Sequence, residues 1–187
     1  MDIGNAQQDV RRTYAHGFYG QLVSGAVWLA AAAVATWVSP VAGVAALFLG
    51  GILIFTLTTL ALRLSGRPWS LPAGHPMAGL ASQIAFTVPL GLLVVIALIG
   101  GREHLFFPAS MVIVGAHYLP FVFLYGMRLF AVLAGLMIVG GVAFAQWQEP
   151  WMPAAGWANG LLLVAFAFVL RASAQVERSV PSSLAAS

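Results

Sequence analysis

Six apolar runs, each about as long as a bilayer crossing, take up most of this chain and leave little else to fold. They cover residues 17–38, 41–62, 79–100, 107–125, 129–146 and 154–170. A hydrocarbon core of about 30 Å requires roughly 17–25 apolar residues in a helix, and the last two runs are at the short end of that range. None shows the period-two alternation of a membrane barrel. In lipid every backbone N–H and C=O must be bonded within the protein, which a helix achieves by itself. The expected fold class is an all-α membrane protein with six transmembrane helices arranged as three hairpins. Composition agrees: only 7% of the 187 residues are charged, against about 25% in a soluble domain.

The breaks between runs set the expected topology. They are Ser39-Pro40, a Pro- and Gly-rich loop over residues 65–76, Arg102-Glu103-His104, Gly126-Met127-Arg128 and residues 148–153. If both ends of the chain lie on one side, that side holds Arg11, Arg12, Arg63, Arg67, Arg128, Arg171 and Arg178, and the other holds only Arg102. Positive charge is retained on the cytoplasmic side, so both termini are expected there. The aromatic belt fits the same orientation, with Trp37, Phe106, Phe107, Trp147, Trp151 and Trp157 outside and Tyr14, Tyr19 and Trp69 inside. A multi-pass protein of the bacterial inner membrane is the expected location. The basic balance (net charge +3) is spread over the ends of apolar runs and marks topology, not nucleic-acid binding.

Three parts are expected. Residues 1–16 form a cytoplasmic segment in which Asn5 and Gln8 resemble a capping box and Ile3, Val10 and Tyr14 share a face, the pattern of a short interfacial helix. Residues 17–171 form the bundle. Residues 172–187 are small and polar and read as a flexible cytoplasmic tail. The run after Arg11-Arg12 continues too far past Ala33-Val34-Ala35 to read as a cleaved signal peptide. A proline in each outer turn, and a glycine before the closing arginine of each even-numbered run, fit internal repeats, but any six-span protein that obeys the positive-inside rule places arginines there, and chance symmetry is the stronger reading.

Chemistry is concentrated in the fourth run, Val114-Gly-Ala-His-Tyr-Leu-Pro-Phe-Val-Phe-Leu-Tyr-Gly-Met-Arg128. Ionisable groups inside a membrane are costly, which makes His117 a functional candidate. Helical spacing puts His117, Phe121, Leu124 and Arg128 on one face and Tyr118 with Tyr125 on the next. Pro120 frees the carbonyl one turn earlier. Gln83 and Thr87, one turn apart on the third run, are the expected partners, and the candidate ligand-binding set is His117, Tyr118, Tyr125, Gln83, Thr87 and Arg128. A neutral His117 bonded to a neighbouring helix as packing glue is the competing reading. Further polar groups lie at Gln21, Ser24 and Trp28, at Thr56 and Thr59, and at Asn159. Pairs such as Gly20/Ser24 and Gly156/Gly160 indicate close helix packing, within the chain or in a homo-oligomer.

Some chemistries lack their residues. All five acidic residues fall outside the runs, so a carboxylate proton relay has no members. The chain has no cysteine, its four histidines are dispersed, and no phosphate loop, dinucleotide fingerprint or G-x-S-x-G elbow occurs. No catalytic residue, metal site or cofactor is assigned. The expected partners are the lipid bilayer and a lipid or small-molecule ligand, with no nucleic acid. Two other functions stay open: an intramembrane enzyme with His117 as general base, and a non-catalytic structural or regulatory subunit.

At Gly115-Ala-His-Tyr-Leu-Pro120 the chain resembles a family of small bacterial integral membrane proteins classed as a domain of unknown function. Its members show Gly-Ala-His, two apolar or aromatic residues, then proline and an aromatic, matched here by Gly115, Ala116, His117, Pro120 and Phe121. Where the family tends to have Asn-Pro-Leu-Gly before the third run, this chain reads His75-Pro-Met-Ala-Gly79. The resemblance implies a six-helix membrane fold and brings no activity with it.

Overall fold

The computed structural model describes residues 2–146 and 153–179. Among these residues the structure is all-helical, with seven α-helices: α1 (Ile3–Thr13), α2 (Phe18–Trp37), α3 (Pro40–Leu64), α4 (Ala78–Ile99), α5 (Phe106–Tyr125), α6 (Leu129–Ala145) and α7 (Ala154–Ser179). Five stretches are long and apolar enough to cross a membrane: Ala15–Trp37, Pro40–Leu64, Ala78–Ile99, Glu103–Tyr125 and Ala154–Gln175. The helix Leu129–Ala145 is equally apolar but has only 17 residues. The molecule is a multi-pass membrane protein. Its surface supports this: α3 buries only Gly43, Leu47 and Leu62 and exposes side chains such as Leu49, Ile52 and Phe55. Apolar surface of that extent needs lipid around it, since burying it elsewhere would require a partner.

The helices begin and end where local chemistry requires. Ser39 caps α3 by accepting the Ala42 N–H at 3.1 Å, and Pro40 follows at the first helical position, where its missing N–H is no loss. Gly126 ends α5 in the left-handed conformation (φ 65) that favours glycine.

Packing departs from three equal hairpins. α2 pairs closely with α3, but α6 packs mainly on α5 and α7 mainly on α2, so α6 and α7 touch only lightly. Small residues explain the α2–α7 contact. A Cβ on Gly25 would come within 2.7 Å of Val164, and one on Gly160 within 2.7 Å of Leu29. Gly156 and Gly160 are therefore used inside the chain, whereas Gly20 faces open space. Among the described residues Trp28, Phe106, Phe107 and Phe130 are the largest fully buried side chains.

Both ends of the chain differ from the sequence reading. α1 starts at Ile3 from Asp2, so Asn5 and Gln8 lie inside the helix and make no capping box. Its buried face is Ala6, Val10 and Thr13, and Ile3 is exposed. The cause is tertiary: α1 packs on the end of α5, which selects a different stripe. α7 continues past Arg171 to Ser179, so the start of the expected tail is helical. Trp147, Trp151 and residues 180–187 lie outside the described residues.

Candidate functional site

The histidine of α5 meets a partner expected for it. Thr87 Oγ1 and His117 Nδ1 are 2.8 Å apart, across the α4–α5 contact. Thr87 Oγ1 also donates to the Ile84 carbonyl at 2.8 Å. A hydroxyl has one proton, so with that proton given to Ile84 the network assigns the His117 proton to Nδ1, donating to Thr87. Close approach of the two helices permits the bond: a Cβ on Gly91 would lie 2.5 Å from Ile113. The pair sits at the partly exposed edge of the bundle.

Aromatic side chains fill the space beside it. His117 stands 5.0 Å from Phe121, Phe121 stands 5.5 Å from Tyr125, and Phe130 of α6 lies 4.9 Å from Tyr125 and 5.4 Å from Phe121, centroid to centroid. Tyr118 stacks on Phe130 at 6.2 Å, and Ser24 and Gln21 of α2 face its hydroxyl. Tyr118, Tyr125 and Phe130 are buried, so this is a packed core and not a lined cavity. Gln83 is exposed one turn before Thr87 and makes no hydrogen bond among the described residues, and Arg128 is exposed at the start of α6. Four of the six candidates therefore come together, and Gln83 and Arg128 stand apart from them. Among the described residues no three His, Asp or Glu side chains gather as a metal would require.

A second constellation lies where α1 turns into α2. Ala15, His16 and Gly17 have φ of 49, 57 and 86, three consecutive left-handed residues of which only one is glycine. Such strain persists only where the surroundings hold it. Here Gly17 N donates to the Tyr14 carbonyl at 2.9 Å, and Phe130 occupies the space a Cβ on Gly17 would need, with Cζ at 2.9 Å. α1 is anchored in turn: Gln7 donates to the Phe123 carbonyl and Arg11 to the Tyr125 carbonyl, both at 2.6 Å. These carbonyls lie at the C-terminal end of α5, where Phe123 O also accepts the Gly126 N–H at 3.3 Å, and a cation there favours the helix dipole.

The turn forms one wall of a cavity of about 180 Å³ whose lining includes His16, Phe18, Tyr19, Arg67, Arg171 and Gln175. Arg171 lies 5.2 Å over the Phe18 ring, and Phe18 meets Phe168, one turn earlier on α7, at 5.8 Å. The cavity lies at the N-terminal end of α2, the positive end of its dipole, although the Phe18 N–H there already donates to the Ala15 carbonyl. Two arginines bordering one cavity beside the start of α2 are an arrangement that can attract an anion. Sequence reasoning missed it because the turn contains alanine and histidine where glycine would signal it, and because Arg67 sits in an irregular loop. The other cavity described lies between α5 and α6 and is almost wholly apolar, including Pro108, Val112 and Val142. Neither cavity is lined by His117.

Tyr14 immediately precedes the turn. Burial raises its phenol above the ordinary value of 10.0, and a backbone hydrogen bond from Leu71 in the α3–α4 loop offsets part of that. The same loop is tied to α1 by His75, whose Nδ1 accepts the Met77 N–H at 3.2 Å and whose Nε2 lies 3.6 Å from Asp9.

No curated protein and no solved structure matches the chain. One family model does, over residues 3–173, which takes in nearly all of the described chain, and the chain therefore belongs to DUF7010, a family of unknown function.

Proposed function

We propose that this protein is a six-span protein of the bacterial inner membrane, with both termini in the cytoplasm, that binds an anionic lipid headgroup in the Arg67–Arg171 cavity. One observation carries the reading: two arginines border a single cavity beside the N-terminal end of α2, where Phe18 and Tyr19 also line it. Charge attracts the phosphate, and basic groups at a membrane surface contribute about 1 kcal/mol each toward anionic lipid. Below Arg171, Leu161 and Phe168 project from α7 at helical spacing and are exposed, which offers acyl chains an apolar row directly beneath the headgroup. A soluble anion would make no use of that row.

α6 completes six spans in this reading. Its 17 residues measure about 26 Å at 1.5 Å per residue, slightly short of the hydrocarbon thickness. The reading keeps a lipid or small-molecule ligand, and moves its site from His117 to the arginine-bearing end. His117 then holds α4 against α5. The test is native mass spectrometry of protein taken from nanodiscs containing equal phosphatidylglycerol and phosphatidylcholine. Wild-type protein retains phosphatidylglycerol in preference, and Arg67→Gln with Arg171→Gln loses the preference at unchanged thermal stability. Equal retention of both lipids by the wild type would refute the proposal.

A further inference from the structure

Deeper in the bundle, well away from the arginine cavity, a layer of polar side chains lies where α2, α5 and α7 meet. Asn159 of α7 and Ser110 of α5 are fully buried, at 0% exposure each. Neither the amide oxygen nor the amide nitrogen of Asn159 has a hydrogen-bond partner, and neither does Ser110 Oγ. Packing distances put the two at one level. A Cβ on Gly156 would meet Phe107 at 2.9 Å and Ala32 at 3.0 Å, which fixes the crossing of α7 with α5 and α2. One turn further along the parallel helices α5 and α7 come Ser110 and Asn159, and one turn back along α2 comes Trp28, itself buried.

An amide offers two donor and two acceptor positions, and a hydroxyl one donor and two acceptors. Left without partners in a protein interior these groups cost several kcal/mol, more than a bundle gains from shape alone. Lipid does not compensate, because it has no hydrogen-bonding groups at this depth. A buried water typically makes about three hydrogen bonds, and three orphaned atoms are present at this level: Asn159 Oδ1, Asn159 Nδ2 and Ser110 Oγ.

We infer that Asn159 and Ser110 form an intramembrane water-binding site, with a bound water bridging α7 to α5. The site suits a small neutral molecule that both donates and accepts: none of its side chains is charged, and the Phe107 and Trp28 rings pack on each other beside it, 5.9 Å between centroids. The water joins α7 to α5 where the two helices otherwise have few contacts.

Two measurements test this. A high-resolution map of the wild-type protein in lipid shows density at hydrogen-bond distance, about 2.7–3.2 Å, from Asn159 and Ser110; a dry level, or a direct Asn159–Ser110 bond, overturns the inference. In a thermal double-mutant cycle, Ser110→Ala and Asn159→Leu each lower the melting temperature by about 2–4 °C, and the double variant falls no further than the worse single one, because both act on one water. Additive effects, or a rise in melting temperature for Asn159→Leu, overturn it as well. Ser110→Ala removes a single oxygen, so the cycle retains a folded arm, and the wild-type map depends on no variant.

Discussion

At the scale of residues, a polar side chain in a membrane is explained by what it bonds to. His117 has Thr87 at 2.8 Å and lines neither of the cavities described, which favours a mechanical contribution. Interhelical hydrogen bonds in membranes average about 0.6 kcal/mol and reach about 1.7. Thr87→Val and His117→Ala should therefore each lower the melting temperature by a few degrees, the double variant should be no worse than the more damaging single one, and retention of anionic lipid should not change. Loss of lipid retention in His117→Ala would return the histidine to a ligand-contacting role. Tyr14 gives a pH-dependent counterpart. Its folded phenol titrates above the ordinary 10.0 because burial penalises the phenolate. The folded state then holds a proton that the unfolded state has released, so stability is fully present below pH 10 and falls as pH rises through the folded value. Melting curves taken through this alkaline range should slope downward in the wild type and more gently in Tyr14→Phe.

At the scale of elements, glycines decide which helices can meet. Gly25→Ala would place a methyl 2.7 Å from Val164 and 3.0 Å from the Gly160 carbonyl, and that backbone atom has no rotamer by which to give way. Overpacking of this kind costs about 1–3 kcal/mol. Gly20→Ala, one turn away on the same helix, meets nothing within 4 Å and should gain about 0.5–1 kcal/mol in helix propensity. Opposite shifts in melting temperature from two identical substitutions would identify the α2–α7 contact as the cause. The same contrast shows where sequence reading succeeds and where it stops. Helix positions were legible because lipid imposes length and hydropathy one segment at a time, and the Thr87–His117 pair was legible because few polar groups were available to meet. Which helices pack together was not, since Gly20 and Gly25 look equally suited to an interface and only the fold says which has a neighbour. The arginine-lined cavity was invisible for a related reason: Ala15 and His16 take left-handed conformations that their own chemistry disfavours, beside a Gly17 packed against Phe130 of α6, far off in sequence.

At the scale of the whole molecule, the proposed lipid site and the proposed topology stand together. An anionic headgroup site belongs at the cytoplasmic leaflet, where anionic lipid and retained arginines coincide. In that reading the end bearing Arg67 and Arg171 faces the cytoplasm, and α6 crosses so that α7 runs back toward that end. The absence of cysteine makes this directly measurable, because any introduced thiol is the sole label site. Ser70 lies in the α3–α4 loop, His104 just before α5 and Gln146 just after α6, and all three are exposed. With a membrane-impermeant maleimide added to intact spheroplasts, His104→Cys and Gln146→Cys should label at once, and Ser70→Cys only after permeabilisation. The reverse pattern would invert the protein and place the arginine cavity on the outer leaflet, where the positive-inside argument for the lipid site fails. Labelling of Gln146→Cys only after permeabilisation, with His104→Cys still accessible, would mean that α6 dips into the membrane without crossing. α7 would then begin at the cytoplasmic face, and Arg171 could not share a leaflet with Arg67, which the cavity they jointly line requires.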